Sequence, residues 1–393
     1  AHGPLGADDT HGARAADAPG AAAAGAAGAP AEDLERFAAA VLPTPAERAE
    51  KLELLRKVRL AVSEVLGEDA RVFPFGSSVN GFGEAGADVD AVVYAPPDGM
   101  RRFRLRRGAV LRRVAREGER FGLELVELRL NARIPIITLQ SELGGPPLDL
   151  SFGNLLPLVN SRLVRQYAEL EPRMTPVVLA VKRWAKKNGI AKTYTGYISS
   201  YAWTLMVLYY FQVCHGVPSL HQLAAGRRTA AAARGLDAEP PVNYEAEFVS
   251  AAEAQAGPPR VTSAADELLL GFFRFYAGEF EGPSEVVSIR VGARAAIRPP
   301  ADGAGWYTER LGCTGAGGFH IEDPIDKNRN LNFAMTPQDV SQLLGRIRLA
   351  ADYLDRGGSW AELVGLGASE APLGQPPTPE VGTPGGQLAV ASP

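Results

Sequence analysis

The sequence has few cysteines and no long hydrophobic run. Its 393 residues include two cysteines, Cys214 and Cys313, and neither lies in a C-x-x-C pattern. A disulfide framework and a cysteine-ligated metal cluster are therefore disfavoured, and a reducing compartment is expected. The longest strongly apolar run, WTLMVLYYFQV from Trp203 to Val213, reaches about half of the roughly 20 residues that a membrane span needs, so it predicts a buried helix.

The chain also lacks an overall basic charge and a recognisable targeting segment. The formal net charge is −4, which does not by itself indicate a nucleic-acid binder. No signal peptide or arginine-rich transit pattern is present. We therefore expect a cytoplasmic protein without a membrane partner. The sequence begins at Ala1 rather than Met, which leaves an organelle or the nucleus open.

Composition and hydrophobic spacing divide the chain into parts. Residues 1–31 and 361–393 are rich in alanine, glycine or proline and are predicted to be disordered tails. Short β-rich runs predict a small mixed sheet in residues 66–161, and helical patterns predict a mostly helical domain in residues 162–360. The expected fold class is α+β, with two domains and the site in the cleft between them. Two further predictions are a helix over residues 32–65 that packs on the helical domain and an alanine-rich surface insertion at residues 224–241.

The stretch FGSSVNGFGEAGADVDAVV, at residues 75–93, holds two overlapping patterns. Gly81, Gly83 and Gly86 match the G-x-G-x-x-G of a dinucleotide-binding turn. Such a turn needs a helix after its last glycine, but the sequence ADVDAVVYAPP predicts a strand there. The dinucleotide interpretation is therefore disfavoured.

The second pattern is a glycine-serine turn followed by paired carboxylates. Asp88 and Asp90 are two residues apart on a predicted strand, so both side chains point to one side. Asp149, in PPLDLSF, is predicted on the polar face of another strand. Gly76 and Ser77 offer N–H and O–H groups to a triphosphate. Three such carboxylates would hold two Mg²⁺ or Mn²⁺ ions for an in-line phosphoryl displacement, whereas an isolated D-x-D is more often an exposed acidic turn.

These motifs resemble the RNA 3′-terminal nucleotidyltransferases, the terminal uridylyltransferases and cytoplasmic-type poly(A) polymerases of the polymerase-β-like superfamily. The blocks VVLAVKRWAKKNGI, GYISSYAWTLMVLYYF, ELLLGFFRFYAGEF and IEDPIDKNRNLN follow in the order of that family and extend the resemblance over about residues 35 to 350. The resemblance implies a palm-like nucleotidyltransferase domain and a helical poly(A)-polymerase-associated domain that carries a nucleotide-recognition loop. A small-molecule nucleotidyltransferase would share the glycine-serine turn and D-x-D but not these helical blocks.

The resemblance also implies an activity and a set of site residues. The implied enzyme adds nucleotides to RNA 3′ ends without a template, using two Mg²⁺ or Mn²⁺ ions held by Asp88, Asp90 and Asp149. Asp149 is the expected acceptor of the proton of the 3′-hydroxyl. The implied triphosphate contacts are Gly76, Ser77, Lys182, Lys186 and Ser200, and the implied sugar contacts are Asn154 and Ser161. The base is expected to stack on Tyr201 beneath a recognition loop that carries Asp323, Asp326 and Arg329.

Arg329 bears on the choice of base. Uridylyl-adding members of the family usually carry a histidine at this position. Arginine only donates hydrogen bonds, which suits the O4 acceptor of uracil and opposes the amino group of adenine. UTP is therefore favoured, and a poly(A) polymerase using ATP is the alternative. An inactive RNA-binding relative is a more remote alternative, because all three acids are present.

An arginine-rich segment points to the RNA. The sequence RRFRLRRGAVLRRVAR, at residues 101–116, carries eight arginines and no acid. We expect RNA phosphates to bind at Arg101, Arg102, Arg106, Arg112 and Arg113. An equal alternative is that these arginines form a solvated outer face that does not bind RNA. We find no added RNA-recognition module, so a protein partner would choose the RNA or discrimination would be weak. A monomer is expected.

Overall fold

The protein is described by a computed structural model. It describes residues 32–95, 107–132, 134–191, 193, 196–225, 248–255, 261–295, 319–327, 329–333 and 335–365. These residues form a mixed five-stranded sheet with covering helices and a larger group of helices. The predicted α+β fold class is confirmed. None of the described helices is long and apolar enough to cross a membrane.

Two helices precede the sheet. Helix α1 spans Glu32–Val41 and α2 spans Pro45–Leu66. Thr44 caps α2 by accepting a hydrogen bond from the Glu47 amide at 3.2 Å. The apolar face of α1 lies in the helical core, but the buried face of α2 lies in the core of the sheet, through Leu54, Leu55, Val58, Ala61 and Val62. The prediction that residues 32–65 pack on the helical domain is therefore wrong for α2, because an amphipathic pattern does not say which core covers it.

The sheet has the strand order β1-β2-β5-β4-β3. Strands β2 and β5 run parallel at its centre, and the other neighbours are antiparallel. Helix α3, Arg107–Gly118, covers one face with Val110, Leu111 and Val114. The predicted β-rich runs are confirmed as strands with these bounds: β1 Arg71–Phe75, β2 Val89–Tyr94, β3 Leu123–Arg129, β4 Ile136–Ser141 and β5 Leu148–Phe152.

The rest of the described chain is mostly helical, as predicted. Helix α6 is buried along nearly its whole length, which explains the absence of a polar face in its sequence. Trp184 of α5 packs edge-on against Trp203 of α6 and Phe273 of α9, with ring centroids 5.5 and 4.8 Å apart. The elements are α4 Leu156–Leu170, α5 Met174–Lys187, α6 Ser200–His215, α7 Leu220–Ala225, α8 Ala251–Ala254, α9 Ala265–Arg274, β6 Val286–Val287, β7 His320–Ile321, α10 Pro337–Asp355 and α11 Trp360–Leu363.

The predicted tails and insertion fall largely outside the described residues. This holds for all of residues 1–31, for 226–241 of the insertion and for 366–393. The insertion prediction is wrong at its first two residues, since Ala224 and Ala225 end helix α7. The tail prediction is wrong over 361–365, because Leu363 and Val364 are buried in the helical core. The other domain boundaries remain predictions.

Candidate active site

Three acids lie where β2 and β5 begin. Asp90 and Asp149 are register partners on these parallel neighbours, each the second residue of its strand. Equivalent positions on neighbouring strands point to one face of a sheet. Asp88 directly precedes β2 and is exposed. The fold therefore brings together the three acids that the sequence singled out.

The charge of these acids is only partly compensated. Burial, together with the nearby carboxylates of Asp149 and Asp88, raises the pKa of Asp90 to about 7, although Arg129 opposes the shift. The shift therefore comes first from burial and second from the neighbouring negative charges. Such a donor set suits a hard cation like Mg²⁺ or Mn²⁺, which binds carboxylate oxygens.

Asp149 is held by protein groups in this conformation. Its Oδ2 accepts a hydrogen bond from Arg129 Nη2 at 2.5 Å, and its Oδ1 accepts one from Thr138 Oγ1 at 2.6 Å. Thr138 lies opposite Asp149 in the register of β4 and β5. Among the described residues, no group of three or more His, Cys, Asp or Glu side chains is placed to hold a metal ion. The carboxylates thus have suitable chemistry, but Asp149 faces Arg129.

The glycine-serine turn packs directly on Asp90. Gly76 has a φ of +71°, and a Cβ added there would lie 2.5 Å from Asp90 Oδ2. Its amide donates to Ser161 Oγ at 2.7 Å, and the Ser161 hydroxyl donates to the Pro157 carbonyl at 2.7 Å. Ser161, expected at the sugar, therefore supports the turn in this conformation.

The two expected phosphate lysines lie on α5 beside the loop that follows the turn. Lys182 is buried, and its Nζ donates to the Phe82 carbonyl at 2.7 Å. Burial lowers its pKa to about 8, with Glu84 opposing and Lys186 adding to the shift. Lys186 is exposed, and its Nζ lies 3.7 Å from Glu84 Oε1, while Arg183 Nε lies 3.3 Å from Glu84 Oε2. A buried acid thus partly neutralises the cations of this helix.

Ser200 and Tyr201 occupy the first turn of α6. Ser199 caps the helix by accepting from the Ala202 amide at 3.2 Å, so Ser200 lies where helix N–H groups favour an anion. The Tyr201 hydroxyl is buried without a hydrogen-bond partner among the described residues. Its pKa is raised well above the usual value by burial first and by Asp323 second. Tyr201 therefore lies near the expected recognition loop.

Asp323 organises that loop. Its Oδ1 accepts from the amides of Ile325 and Asp326 at 3.0 and 3.1 Å. Its Oδ2 lies 3.4 Å from Asn160 Nδ2 and 3.6 Å from Arg329 Nη1. Asp323 is fully buried, and burial is the largest cause of its raised pKa. The carboxylate thus holds the loop to α4 and restrains Arg329.

Comparisons with known proteins find relatives in sequence and in structure. Residues 31–169 match the family model of the central palm domain of mitochondrial-like poly(A) RNA polymerases. The human poly(A) RNA polymerase GLD2 is 30% identical over 285 residues, covering 70% of this chain and 54% of GLD2. The chain therefore spans about half the length of this relative.

Solved structures extend the similarity through the helical part. The Cid1 poly(U) polymerase is 28% identical with a TM-score of 0.65, covering 83% of this chain and 93% of that chain. A cytoplasmic RNA terminal U-transferase is 26% identical with a TM-score of 0.64, covering 88% of this chain and 99% of that chain. This chain is therefore similar in sequence and in fold to poly(A) and poly(U) polymerases and to an RNA terminal U-transferase.

The expected site residues come from distant parts of the chain. Asn154 lies in the connection between β5 and α4, and Arg112 and Arg113 are exposed on α3. Arg101, Arg102 and Arg106 lie outside the described residues. Sequence reasoning missed four site residues, Glu84, Arg129, Thr138 and Asn160. Alternation along β4 places Thr138 on the face of Asp149, but nothing in the sequence gives the register that joins them.

Proposed function

We propose that this chain is a template-independent RNA 3′-terminal nucleotidyltransferase that favours UTP. The observation that carries the proposal is the acidic group at the starts of β2 and β5, with Asp90 beside Asp149 in register and Asp88 one residue before the strand. The turn at Gly76 lies against Asp90. The polymerase names of the relatives support the reaction class.

The chain has residues suited to the attacking 3′-hydroxyl and to the departing pyrophosphate of such a reaction. When bound, divalent cations at three carboxylates activate an attacking 3′-hydroxyl and stabilise a departing pyrophosphate. Asp88, Asp90 and Asp149 would hold them, and structures of Cid1 with magnesium nucleotides support magnesium. Asp149 would accept the proton of the 3′-hydroxyl. Lys182, Lys186 and the N-terminus of α6 at Ser200 would bind the triphosphate.

UTP is favoured by the restraint on Arg329. The Arg329 side chain is 38% exposed, and its Nη1 lies 3.6 Å from Oδ2 of buried Asp323, so the guanidinium is paired with a carboxylate while part of the side chain stays accessible. A guanidinium held in place can donate to O4 of uracil and opposes the amino group of adenine. Tyr201 is the proposed stacking surface for the base. Cid1 structures with a UTP analogue and with the product ApU support binding of nucleotide and RNA.

ATP is the second candidate, because the human and mouse relatives are poly(A) RNA polymerases. The deciding experiment incubates the purified chain with a labelled RNA, Mg²⁺ or Mn²⁺, and each nucleoside triphosphate singly. We expect 3′ extension that is best with UTP and absent from Asp88→Ala. No extension with any nucleotide would refute the proposal, and better extension with ATP would replace UTP.

A substitution at Arg329 tests the basis of the choice. Arg329→Ala should lower the ratio of UTP to ATP incorporation more than it lowers total activity, because the removed group contacts the base and not the reacting phosphate. Arg346→Ala, on α10, serves as a charge-matched control. An unchanged UTP/ATP ratio in Arg329→Ala would show that Arg329 does not select the base. A cytoplasmic location, a monomeric state and an RNA-targeting protein partner remain predictions.

A further inference from the structure

Asp149 differs from its two acidic neighbours in being fully engaged by the protein. One oxygen faces the Arg129 guanidinium at 2.5 Å and the other faces the Thr138 hydroxyl at 2.6 Å. Arg129 also lies 3.2 Å from Thr138 Oγ1, so the three side chains form one connected group. A charge-assisted pair of this length is among the stronger hydrogen bonds. A metal cation that binds Asp149 therefore has to compete with the Arg129 guanidinium.

Arg129 is placed so that it can leave Asp149. It is the last residue of β3, which forms an edge of the sheet, and its side chain is 41% exposed, whereas that of Asp149 is 20% exposed. A second acid, Glu127, lies 3.4 Å from its Nε and is itself exposed. The guanidinium can therefore turn toward Glu127 and solvent while keeping a carboxylate partner.

We propose that Arg129 is an internal counter-ion of the active site, which holds Asp149 when no divalent cation is bound and is displaced toward Glu127 when one binds. The inference rests on the proposed function, because it takes Asp149 to be a ligand of the cation. Arg129 is a positioning residue in this scheme, since it touches neither substrate nor cation. It keeps the free site from accumulating three uncompensated carboxylates.

A supporting role and a competing role for Arg129 predict opposite effects of removing its side chain. If Arg129 only kept Asp149 in place, its removal would weaken cation binding. If it competes with the cation, its removal strengthens cation binding in the nucleotide-free protein. Repulsion between a unit charge and a divalent ion a few ångströms away corresponds to a change in affinity on the order of tenfold at low ionic strength. Added salt should reduce the difference.

The test measures Mn²⁺ binding to the full chain without nucleotide, by electron paramagnetic resonance of free Mn²⁺ or by calorimetry. Arg129→Met should bind Mn²⁺ about tenfold more tightly than the wild type, because the positive charge is gone. Arg129→Lys should behave as the wild type, since it keeps the charge. Thr138→Val removes the other hydrogen bond of Asp149 without a charge change and should not tighten binding.

Controls separate this inference from the proposed function. Arg120→Met removes a charge of the same sign from a pair with Glu117 at an exposed position and should leave Mn²⁺ affinity unchanged. Asp88→Ala and Asp149→Asn should weaken Mn²⁺ binding, and equal binding in these variants and the wild type would refute the metal site itself. With that site intact, equal or weaker Mn²⁺ binding in Arg129→Met would refute the counter-ion role. If thermal unfolding shows that Arg129→Met does not fold, Arg129→Gln tests the same expectation.

Discussion

The contact between Gly76 and Asp90 predicts a variant that loses activity without an unusual loss of stability. In Gly76→Ala the new Cβ would lie 2.5 Å from Asp90 Oδ2, so this oxygen must move by about 0.9 Å to reach the ordinary contact distance of 3.4 Å. The displaced atom is the end of a side chain, which makes the move inexpensive for folding. A shift of this size at a reacting centre can reduce the rate by about 100-fold.

Backbone strain adds a separate cost. Gly76 has a φ of +71°, and a residue with a Cβ in the left-handed region is destabilised by roughly 1–2 kcal/mol. Gly86 is a matched control, because its φ is +72° but a Cβ there meets nothing within 4 Å. Its amide would keep its 2.6 Å hydrogen bond to Glu47 in Gly86→Ala. The control therefore carries the strain without the contact.

Two assays separate the effects. Denaturant unfolding should give similar losses of stability for Gly76→Ala and Gly86→Ala, on the order of 1–2 kcal/mol. Primer extension with a labelled RNA should show a large fall in kcat for Gly76→Ala and little change for Gly86→Ala. If both variants lose activity to the same extent, or if Gly76→Ala remains fully active, the position of Asp90 does not depend on this contact and the reasoning is refuted.

Three further predictions concern charge. Because the pKa of Asp90 is raised to about 7, its carboxyl is protonated below that pH, and activity should fall as the pH falls through about 7. The midpoint of this fall should move to lower pH with more Mg²⁺, and a midpoint that is independent of Mg²⁺ would contradict the prediction. The pKa of Lys182 is lowered to about 8, so its ammonium group loses its charge as the pH rises through about 8. Nucleotide affinity should weaken around this pH in the wild type but not in Lys182→Met. Identical pH profiles of the two proteins would count against a phosphate contact. Replacing Arg112 and Arg113 with glutamine should reduce the salt dependence of RNA binding, measured by fluorescence anisotropy. Glutamine at exposed Arg56 is the control and should leave the salt dependence unchanged. Equal salt slopes in all these proteins would indicate that the arginines of α3 form a solvated outer face and do not bind RNA.

The strands and acids could be predicted because both depend on local pattern. Short β-rich runs and the alternation around Asp149 predicted the strands, and the spacing of Asp88 and Asp90 placed their carboxylates on one side. The same local reasoning assigned the wrong neighbour to α2. Its apolar positions show which face is buried, but whether the sheet or the helices cover that face depends on contacts between distant parts of the chain.

The partners of the site residues could not be predicted, because they depend on register and tertiary packing. Arg129 meets Asp149 across 20 residues and two strand pairings, while Asn160 meets Asp323 across 163 residues. Ser161 illustrates the effect on an assigned role. A serine in the helical pattern of α4 indicates a polar contact, but only the fold shows that this contact is the Gly76 amide.

Two of the pairings that the sequence did not reveal, those of Arg129 and of Glu84, share one physical cause. A site for a triphosphate and divalent ions needs acids and bases that are left with uncompensated charge when the ligands are absent, and partly buried charge without a partner is costly. In this chain the acids and the cations of the site each have an internal counter-ion. Arg129 lies against Asp149, and Glu84 lies against Arg183 and Lys186. Arg129 and Glu84 are needed to compensate these charges even though neither binds a ligand. Ligand affinity then depends on the difference between these internal pairs and the contacts that replace them, so Arg129 and Glu84 should affect binding without touching the substrate.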